Sequence, residues 1–531
     1  MKTVPSRLGL AAAILLAAPT LGLSDVKPHV LFTDGAVLQR GMPVPVWGTA
    51  DDGEKVTVKF QGQEVSTTSK DGKWQVKLAE LKAGGPFSMT IEGKNKVEVA
   101  DVLVGEVWVC SGQSNMEFAL GRSAEAGASV PKATDPELRL YTVPKLVSDE
   151  PLDTIKGKDS PGQRSWLASD PESAAKFSAV AYYFGRDLRK ALGVPVGLIH
   201  SSWGGTNAES WTSRRTLEAD PALKGLLDDY AKALARYPAA MEKFRADQAA
   251  HRQKVAAAKA AGKTVPMAPR APVGPTSPHV SGLYNAMIVP LQPYAIRGAI
   301  WYQGEANAGR AHQYRTLLPA MIKNWRQDWN QGDFPFLIVQ LAPFRKIVEE
   351  PGDSDWAELR ESQLRTAQNL PKTGMAVITD VGDEGDVHPK QKEPVGARLA
   401  LAARSIAYGE PVVGSGPEYA SMDVKGDRVV LRFKNVGAGL AAKDGPLKGF
   451  AIAGEDRKFV NAEAEIEGDT VVVHSDKVAR PVAVRFGWAN YPVVNLWNKD
   501  GLPASPFRTD DFPMITDTSV KARRSAPARA Q

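Results

Sequence analysis

The chain has 531 residues, of which 43% are hydrophobic and 24% are charged, as is ordinary for a globular protein of two or three domains. The single cysteine, Cys110, excludes an internal disulfide framework and a cysteine-clustered metal site. The net charge of +6 is modest, and we find no aromatic-interleaved basic patch of the kind that nucleic acid needs, so no nucleic-acid partner is expected.

Residues 1–24 are predicted to be a secretory signal peptide. Lys2 and Arg7 precede an apolar stretch from Leu8 to about Ala18, and small residues follow it. This stretch is too short to favour a membrane span, and no later segment has about 18 consecutive apolar residues. We therefore expect a secreted or periplasmic protein that has no membrane association after cleavage, with an uncleaved N-terminal anchor as the alternative.

Two segments alternate apolar and polar residues in the manner of antiparallel strands. Residues 25–101 contain VPVWGTA, KVTVKFQGQEV and FSMTIEG, separated by DDGE, KDGK and AGGP turns. Residues 411–515 contain DRVVLRFKNV, TVVVHS and VAVRFGWA. Each segment is predicted to be a β-sandwich-like module. The basic residues 516–531 are predicted to be a disordered tail.

Between these modules, apolar strands alternate with helices. VGEVWVC, VPVGLIHSS, RGAIWYQG, FPFLIVQLA and GMAVITDV are typical of strands buried on both faces. The pattern predicts the α/β fold class, with a doubly wound, flavodoxin-like parallel sheet divided between residues 102–213 and 281–410. Residues 214–280 are rich first in Ala and Lys and then in Pro, which predicts a helical insertion with an extended return.

The first two strand ends offer a candidate nucleophile and a candidate oxyanion donor. In open α/β sheets, ligands bind beyond the carboxyl ends of the strands. VWVC is followed by SGQSNM, where Gly112 permits a tight turn that could present Ser114, although a serine in such a turn is more often a turn or cap residue. VGLIHSS is followed by WGGT, whose Gly204 and Gly205 allow a backbone N–H to approach a bound group, or simply make a tight turn.

The other two strand ends offer an amide and a candidate base. GAIWYQG is followed by EANAG, where the Gln303 amide can donate to a developing negative charge and Glu305 can orient its neighbours. MAVITDV is followed by GDEGDVHP, where His388 can act as the base of a nucleophilic serine and has three candidate carboxylates, Asp380, Asp383 and Asp386. Asp386 can reach His388 through one local turn and fix its tautomer, and Asp383 is a substitute at longer reach.

The histidine inventory favours His388. Of the seven histidines, it alone lies among acidic residues just past an apolar strand of the sheet domain. His200 is the nearest competitor, but its place within the strand LIHSS favours a hydrogen-bonded core histidine. The sequence contains no HExxH, paired cysteines, EF-hand loop, GxGxxG after a strand or P-loop, so no metal and no cofactor is predicted.

The four motifs GQSNM, SSWGGT, WYQGE and DVHP, in this order, resemble the SGNH hydrolase superfamily and, more narrowly, the sialate O-acetylesterase type of carbohydrate esterase. LFTDGAVLQRGMPVPVWGTA, LYNAMIVPL and GLPASPFRTDDFP fit the same family, so the resemblance covers nearly all of the chain after the predicted signal peptide. The resemblance implies Ser114 as nucleophile, His388 as general base and then acid, and Asp386 as its carboxylate. It also implies an oxyanion hole formed by the Ser114 N–H, the Gly205 N–H and the Gln303 side chain.

Two positions differ from the wider superfamily. The third motif more often carries asparagine there, whereas this chain has Gln303, as sugar acetylesterase relatives also do. The aspartate usually stands three residues before the histidine, and that position is Gly385. The resemblance therefore leaves both Asp386 and Asp383 open as the triad acid.

This resemblance implies a serine esterase that removes acetyl groups from carbohydrates. Its partner is expected to be an acetylated carbohydrate, either sialic acid or a plant-type polysaccharide or oligosaccharide. The alternatives are a short-chain carboxylesterase or thioesterase with the same site and, from another class, a non-catalytic carbohydrate-binding protein. The candidate substrate-contacting residues are Gln113, Asn115, Trp203, Trp211, Trp301 and Glu305. Neither the sugar nor the oligomeric state follows from the sequence.

Overall fold

The structure is a computed structural model in which residues 25–156 and 165–517 are described. The predicted signal peptide, residues 1–24, and the predicted tail beyond Asp517 lie outside the described residues. Within these two ranges, no helix is both long enough and apolar enough to cross a membrane.

The N-terminal strands share one long strand with the centre of the molecule. They are β1 (Lys27–Pro28), β2 (Val37–Gln39), β3 (Val44–Thr49), β4 (Lys55–Phe60), β5 (Gln63–Thr68), β6 (Lys73–Leu78), β7 (Gly84–Glu92) and β8 (Lys96–Gly112). A small sheet has the order β1-β3-β6, while β4, β5 and β7 form antiparallel pairs that lead to β8. Because β8 continues unbroken into the central sheet, it crosses the expected boundary between residues 101 and 102.

The centre of the molecule is a mixed sheet. After β8 its strands are β9 (Asp135–Thr142), β10 (Leu167–Ser169), β11 (Val196–Ser202), β12 (Gly298–Tyr302), β13 (Phe336–Val339) and β14 (Thr373–Ala376). The order is β10-β9-β11-β8-β12-β13-β14, in which only the edge strand β10 runs antiparallel to its neighbour. Residues 102–112 of β8 are all buried, as expected of a central strand that is covered on both faces.

Helices cover this sheet on both faces. The α-helices of the described residues are α1 (Ser114–Glu117), α2 (Ala126–Ser129), α3 (Pro171–Lys176), α4 (Ala179–Leu192), α5 (Arg214–Ala219), α6 (Pro221–Ala260), α7 (Ala311–Trp329), α8 (Asp355–Asn369) and α9 (Glu393–Ile406), of which α6 is largely exposed. Helices α4 and α9 share a core with Trp108, and α7 and α8 share another with Val109. Alternate residues of β8 therefore face opposite helix layers. The predicted α/β class is confirmed.

The C-terminal strands form three small antiparallel sheets. They are β15 (Glu418–Lys425), β16 (Arg428–Lys434), β17 (Leu440–Ala442), β18 (Phe450–Ala453), β19 (Val460–Asn461), β20 (Glu463–Glu467), β21 (Thr470–His474), β22 (Ala483–Phe486), β23 (Leu496–Asn498) and β24 (Phe507–Arg508). The sheets have the orders β15-β16-β21-β20, β17-β23 and β19-β18-β22-β24. Phe450, Phe486 and Phe507 lie in their common core.

Candidate active site

Three of the four motifs meet at one edge of the central sheet. Gly112 at the end of β8 is in register with Ser202 on β11 and with Tyr302 on β12. The backbone continues this contact beyond the strands, since Gln113 N–H donates to the Tyr302 carbonyl over 3.0 Å and Trp203 N–H donates to the Gly112 carbonyl over 3.2 Å. Consequently the turns that follow these strands lie side by side.

Gly112 makes the turn before Ser114 possible. Its φ is +141°, and a Cβ at this position would lie 2.1 Å from the Tyr302 carbonyl oxygen. Any other residue would therefore collide with β12 as well as strain the backbone. The chain leaves the strand at this glycine, and α1 begins two residues later at Ser114.

The fourth motif brings a histidine to Ser114. His388 Nε2 lies 2.8 Å from Ser114 Oγ, and His388 Nδ1 lies 3.1 Å from Asp386 Oδ1. The same carboxylate oxygen accepts the backbone N–H of His388 over 2.9 Å, and the hydrogen bonds from His388 lower the pKa of Asp386. The Asp386 side chain is 51% exposed. Serine, histidine and carboxylate thus form a continuous hydrogen-bonded chain with its acid end in solvent.

Asp383, the other candidate acid, has a different position. Its Oδ1 accepts the backbone N–H of Gly385 over 2.8 Å and that of Asp386 over 3.1 Å. These bonds stabilise the turn that carries Asp386, whereas His388 Nδ1 contacts Asp386. The geometry therefore favours Asp386 as the acid.

The WGGT turn places Gly204, rather than the expected Gly205, beside the nucleophile. A Cβ on Gly204 would lie 3.2 Å from Ser114 Cβ, whereas a Cβ on Gly205 would have no atom of the described residues within 4 Å. The Gly204 N–H donates to Glu117 Oε2 over 2.7 Å. Of the two glycines of this turn, Gly204 therefore lies nearer to Ser114 than the predicted donor Gly205 does.

Gln303 does not offer the free amide N–H that was expected. Its side chain is fully buried, and the amide nitrogen donates to the Thr206 carbonyl over 3.1 Å and to Asn307 Oδ1 over 2.7 Å. The amide oxygen accepts the hydroxyl of Tyr314 over 2.9 Å. Both amide hydrogens are therefore engaged, and Gln303 would have to exchange a partner to reach an oxyanion.

A cavity of about 1060 Å³ opens at Ser114 and His388. Trp203, which was predicted to contact substrate, lines this cavity. Lys145 also lines it, where its ammonium pairs with Glu117 over 2.5 Å and lies 5.5 Å from the centre of the Trp203 ring. Two further cationic side chains at this cavity are Arg122 and Lys176. The cavity thus combines an aromatic surface with positive charge.

Five other residues predicted to contact substrate do not line this cavity. Trp301 and Trp211 are fully buried and pack edge to face with ring centres 6.1 Å apart. Both rings point inward, towards α7, and fill the core there. The other three residues hydrogen-bond to protein groups and do not line the cavity: Gln113, Asn115 and Glu305.

His200 forms a second serine–histidine pair in the same cavity. Its Nε2 lies 2.6 Å from Ser202 Oγ, and it is 7% exposed. Burial lowers its pKa to about 4, so the imidazole is neutral at ordinary pH. The expectation of a buried, hydrogen-bonded histidine is confirmed.

Lys392 was not predicted from the sequence, yet it lies directly behind the nucleophile turn. It is fully buried, and its ammonium donates to Asn115 Oδ1 over 2.6 Å. Lys390, two residues earlier in the same KQK stretch, is exposed. Because a lysine in a charged loop is usually solvated, the sequence held no signal that distinguishes the two.

An α/β sheet that presents a serine within hydrogen-bonding distance of a histidine at its strand ends has the site architecture of a hydrolase. The family model described as "Carbohydrate esterase, sialic acid-specific acetylesterase" matches residues 253–405. Sialate O-acetylesterase of Mus musculus is 33% identical over 402 residues, which span 69% of this chain and 70% of the relative. That of Homo sapiens is 30% identical over 442 residues, 74% of this chain and 76% of the relative.

A solved structure gives the same result over a longer span. The crystal structure of a carbohydrate acetylesterase from Xanthomonas citri is 39% identical, with a TM-score of 0.77, and the match covers 92% of this chain and 100% of that one. The chain belongs to the sialate O-acetylesterase family of carbohydrate esterases. It is therefore a carboxylic ester hydrolase, which leaves the non-catalytic alternative without support.

Proposed function

We propose that this chain is an exported serine esterase that removes O-acetyl groups from carbohydrates through an acetyl-serine intermediate. The observation that carries the proposal is the 2.8 Å contact between Ser114 Oγ and His388 Nε2 at the mouth of the cavity. A serine hydroxyl is a weak nucleophile until a neighbouring base takes its proton. Membership of a carbohydrate acetylesterase family supports an acetyl ester of a sugar as the substrate.

In the proposed reaction, Ser114 Oγ attacks the acetyl carbonyl carbon while His388 Nε2 takes its proton. The tetrahedral intermediate collapses as His388 returns that proton to the leaving sugar oxygen. Water then attacks the acetyl-serine with His388 again acting as base, which releases acetate and restores Ser114. Asp386 holds the proton on His388 Nδ1, so that Nε2 faces Ser114 as an acceptor.

The proposed oxyanion donors are the backbone N–H groups of Ser114 and Gly204. Gly204 is adjacent to Ser114, but its N–H is bonded to the Glu117 carboxylate. The substrate oxygen therefore has to displace the Glu117 carboxylate from the Gly204 N–H. The other oxygen of this carboxylate accepts a hydrogen bond from the Lys145 ammonium. Gln303 supports the same turn through the Thr206 carbonyl and becomes a third donor only if it exchanges that bond.

The proposal includes the architecture and the route of export. The parallel sheet with helices on both faces supports an SGNH-type, flavodoxin-like catalytic domain formed by residues 102–213 and 281–410. The β-sandwich-like modules 25–101 and 411–515 flank it, and residues 214–280 are inserted into it. Lys2, Arg7 and the apolar stretch that follows support a signal peptide and hence a secreted or periplasmic location.

The experiment that tests the function is acetate release by the purified protein from acetylated sialic acids and from acetylated plant-type polysaccharides and oligosaccharides. We expect release from at least one of these classes, and Arg122, Lys145 and Lys176 favour a sugar that bears a carboxylate. The absence of release from all of them, with hydrolysis of other esters intact, would reject the carbohydrate substrate.

A series of aryl esters from acetate to hexanoate separates the acetylesterase from a short-chain carboxylesterase or thioesterase with the same site. We expect kcat/KM to fall from acetate to hexanoate, because a site built for a methyl group excludes longer chains. Equal or rising values along the series would favour the broader esterase.

Replacement of Asp386 by asparagine is expected to lower kcat/KM by about tenfold to a hundredfold. This is less than the roughly 10⁴-fold effect of losing a buried triad aspartate, because Asp386 is half exposed and solvent already screens its charge. The measurement is hydrolysis of an aryl acetate by variants with unchanged circular dichroism.

The matched control is Asp383→Asn. An asparagine oxygen can still accept the N–H groups of Gly385 and Asp386, so this variant is expected to stay within a few-fold of the wild type. If Asp383→Asn loses more activity than Asp386→Asn, the assignment of the acid is reversed.

A further inference from the structure

A buried chain of polar side chains lies behind the Ser114–His388 pair. The Lys392 ammonium donates to Asn115 Oδ1 over 2.6 Å, and Asn115 Nδ2 donates to Glu305 Oε1 over 2.6 Å. The same amide nitrogen donates to the backbone carbonyl of Val387 over 3.0 Å. We refer to Lys392, Asn115 and Glu305 as the buried network. None of the three lines the active-site cavity, so their contacts are with the protein.

The buried network joins the two halves of the proposed catalytic pair. Asn115 follows Ser114 directly, and Val387 directly precedes His388, although Ser114 and His388 are 274 residues apart in sequence. One amide thus connects the nucleophile turn to the loop that carries the base. A displacement of about 1 Å between reacting groups can cost about a hundredfold in rate, so this connection matters for catalysis.

The charges at the two ends determine how the amide is oriented. An ammonium group can only donate hydrogen bonds, so it selects the amide oxygen, and a carboxylate can only accept them, so it selects the amide nitrogen. With Lys392 on one side and Glu305 on the other, a flip of Asn115 would place donor against donor and acceptor against acceptor. Only the observed orientation presents the Asn115 N–H to the Val387 carbonyl.

Both charged groups are held at a cost that ordinary packing does not require. Lys392 is fully buried, and its ammonium lies 4.9 Å and 5.4 Å from the ring centres of Phe118 and Tyr302. Burial lowers the pKa of Lys392 to about 7 and raises the pKa of Glu305. Glu305 Oε2 is buried and has no hydrogen-bond partner from another residue in the described ranges. A buried apolar pair of similar size would avoid these penalties.

We infer that Lys392, Asn115 and Glu305 are positioning residues for the esterase reaction, and that their paired charges orient the Asn115 amide so that it holds Ser114 and His388 at reacting distance. The inference rests on the proposed roles of Ser114 and His388 and extends them to residues that do not contact substrate. Glu305 also interacts electrostatically with His388, so the buried network influences the protonated base. The other titratable and charged groups that face the network are Glu125, Tyr302, Tyr314 and Asp386.

The test uses Glu305→Gln, Lys392→Met and the double variant in the full chain, with kcat and KM for an aryl acetate measured between about pH 5 and 9. Each single variant is expected to lower kcat by about tenfold to a hundredfold with KM nearly unchanged, because substrate contacts remain. In the double variant no unpaired buried charge remains, so its loss is expected to be smaller than the product of the two single losses.

The fall of activity towards low pH, which is the acidic limb of the profile, distinguishes positioning by the charges of Lys392 and Glu305 from a purely structural role of these residues. Removing the Glu305 carboxylate destabilises protonated His388, so the limb is expected to move to lower pH. Removing the Lys392 ammonium takes a positive charge out of the network that contacts the His388 loop, so the limb is expected to move to higher pH. Glu393→Gln is the matched control, because this neighbouring carboxylate pairs with Arg186 at the surface, and its limb is expected to stay in place.

Opposite shifts would support the inference, and unshifted limbs or shifts in the same direction would overturn it. If Lys392→Met does not fold, Glu305→Gln decides alone, since it keeps the size of the side chain and an acceptor for Asn115. The proposed function fails separately: an active Ser114→Ala would reject the catalytic pair itself. If Ser114→Ala is inactive while Glu305→Gln behaves like the wild type, only the positioning role of the buried network is rejected.

Discussion

Ser114→Ala is expected to lower kcat for an aryl acetate by at least about 10⁴-fold while leaving the protein folded. The reason is that the proposed reaction passes through a bond to Ser114 Oγ, and no other hydroxyl lies against His388 Nε2 in the part of the chain that the structure describes. The measurement is steady-state hydrolysis, together with covalent labelling by a fluorophosphonate and circular dichroism. We expect the wild type to be labelled and the variant to remain unlabelled.

Ser202 provides the matched control for this prediction. It lines the same cavity and lies closer to its own histidine, at 2.6 Å from His200 Nε2. Yet no carboxylate is hydrogen-bonded to His200 among residues 25–156 and 165–517, and burial keeps this imidazole neutral. We expect Ser202→Ala to cost no more than about tenfold. If Ser114→Ala is still labelled and active while Ser202→Ala is inactive, the nucleophile is Ser202 instead.

The strand ends were the part of the site that sequence could predict. Long apolar strands interrupted by small and polar residues indicate where a parallel sheet stops, and register then brings Gly112, Ser202 and Tyr302 to one level. Because the carboxyl ends of parallel strands share an edge, Ser114 and His388 could be expected to meet. Their contact follows from topology, which the pattern of strands and helices predicts.

Side-chain orientation beyond the strand ends could not be predicted. Trp301 belongs to a strand buried on both faces, where no alternation of polar and apolar residues shows which way a ring points. Gly204 and Gly205 are equivalent in sequence, and only the fold decides which lies against Ser114. The partners of the Gln303 amide include Thr206 and Asn307, which depend on how two separate turns pack.

The expected boundary between residues 101 and 102 has a similar explanation. Turn residues mark the ends of most N-terminal strands. The change from alternating apolar and polar residues to a continuous run of apolar residues suggests a new domain. In the structure, this change occurs inside β8, where the chain passes from a half-exposed sheet to one covered on both faces. Burial changes at this point while the strand itself continues.

Arg360→Met is expected to lower the free energy of unfolding by about 3–5 kcal/mol. Arg360 lies in α8, is fully buried and donates to four backbone carbonyls. Two belong to the segment after β13, Leu341 at 2.8 Å and Ala342 at 3.0 Å. The other two follow β22, Ala489 at 2.8 Å and Asn490 at 3.0 Å. Methionine fills much of the same space but removes the Arg360 donor from the Leu341 and Ala489 carbonyls, whereas the Ala342 and Asn490 carbonyls keep the N–H donors of Trp356 and Phe344.

The loss should reach the active site, because the segment clamped by Arg360 continues to Phe344, which pairs with Asp383 in the loop that carries His388. We therefore expect esterase activity to disappear at lower denaturant concentration than in the wild type, together with the change in tryptophan fluorescence. Arg365→Met is the matched control on the same helix, since its side chain is 48% exposed and forms an ion pair with Glu361, which limits the expected cost to about 1 kcal/mol. Equal unfolding midpoints for the two variants would mean that the clamp between the sheet domain and the C-terminal strands contributes little.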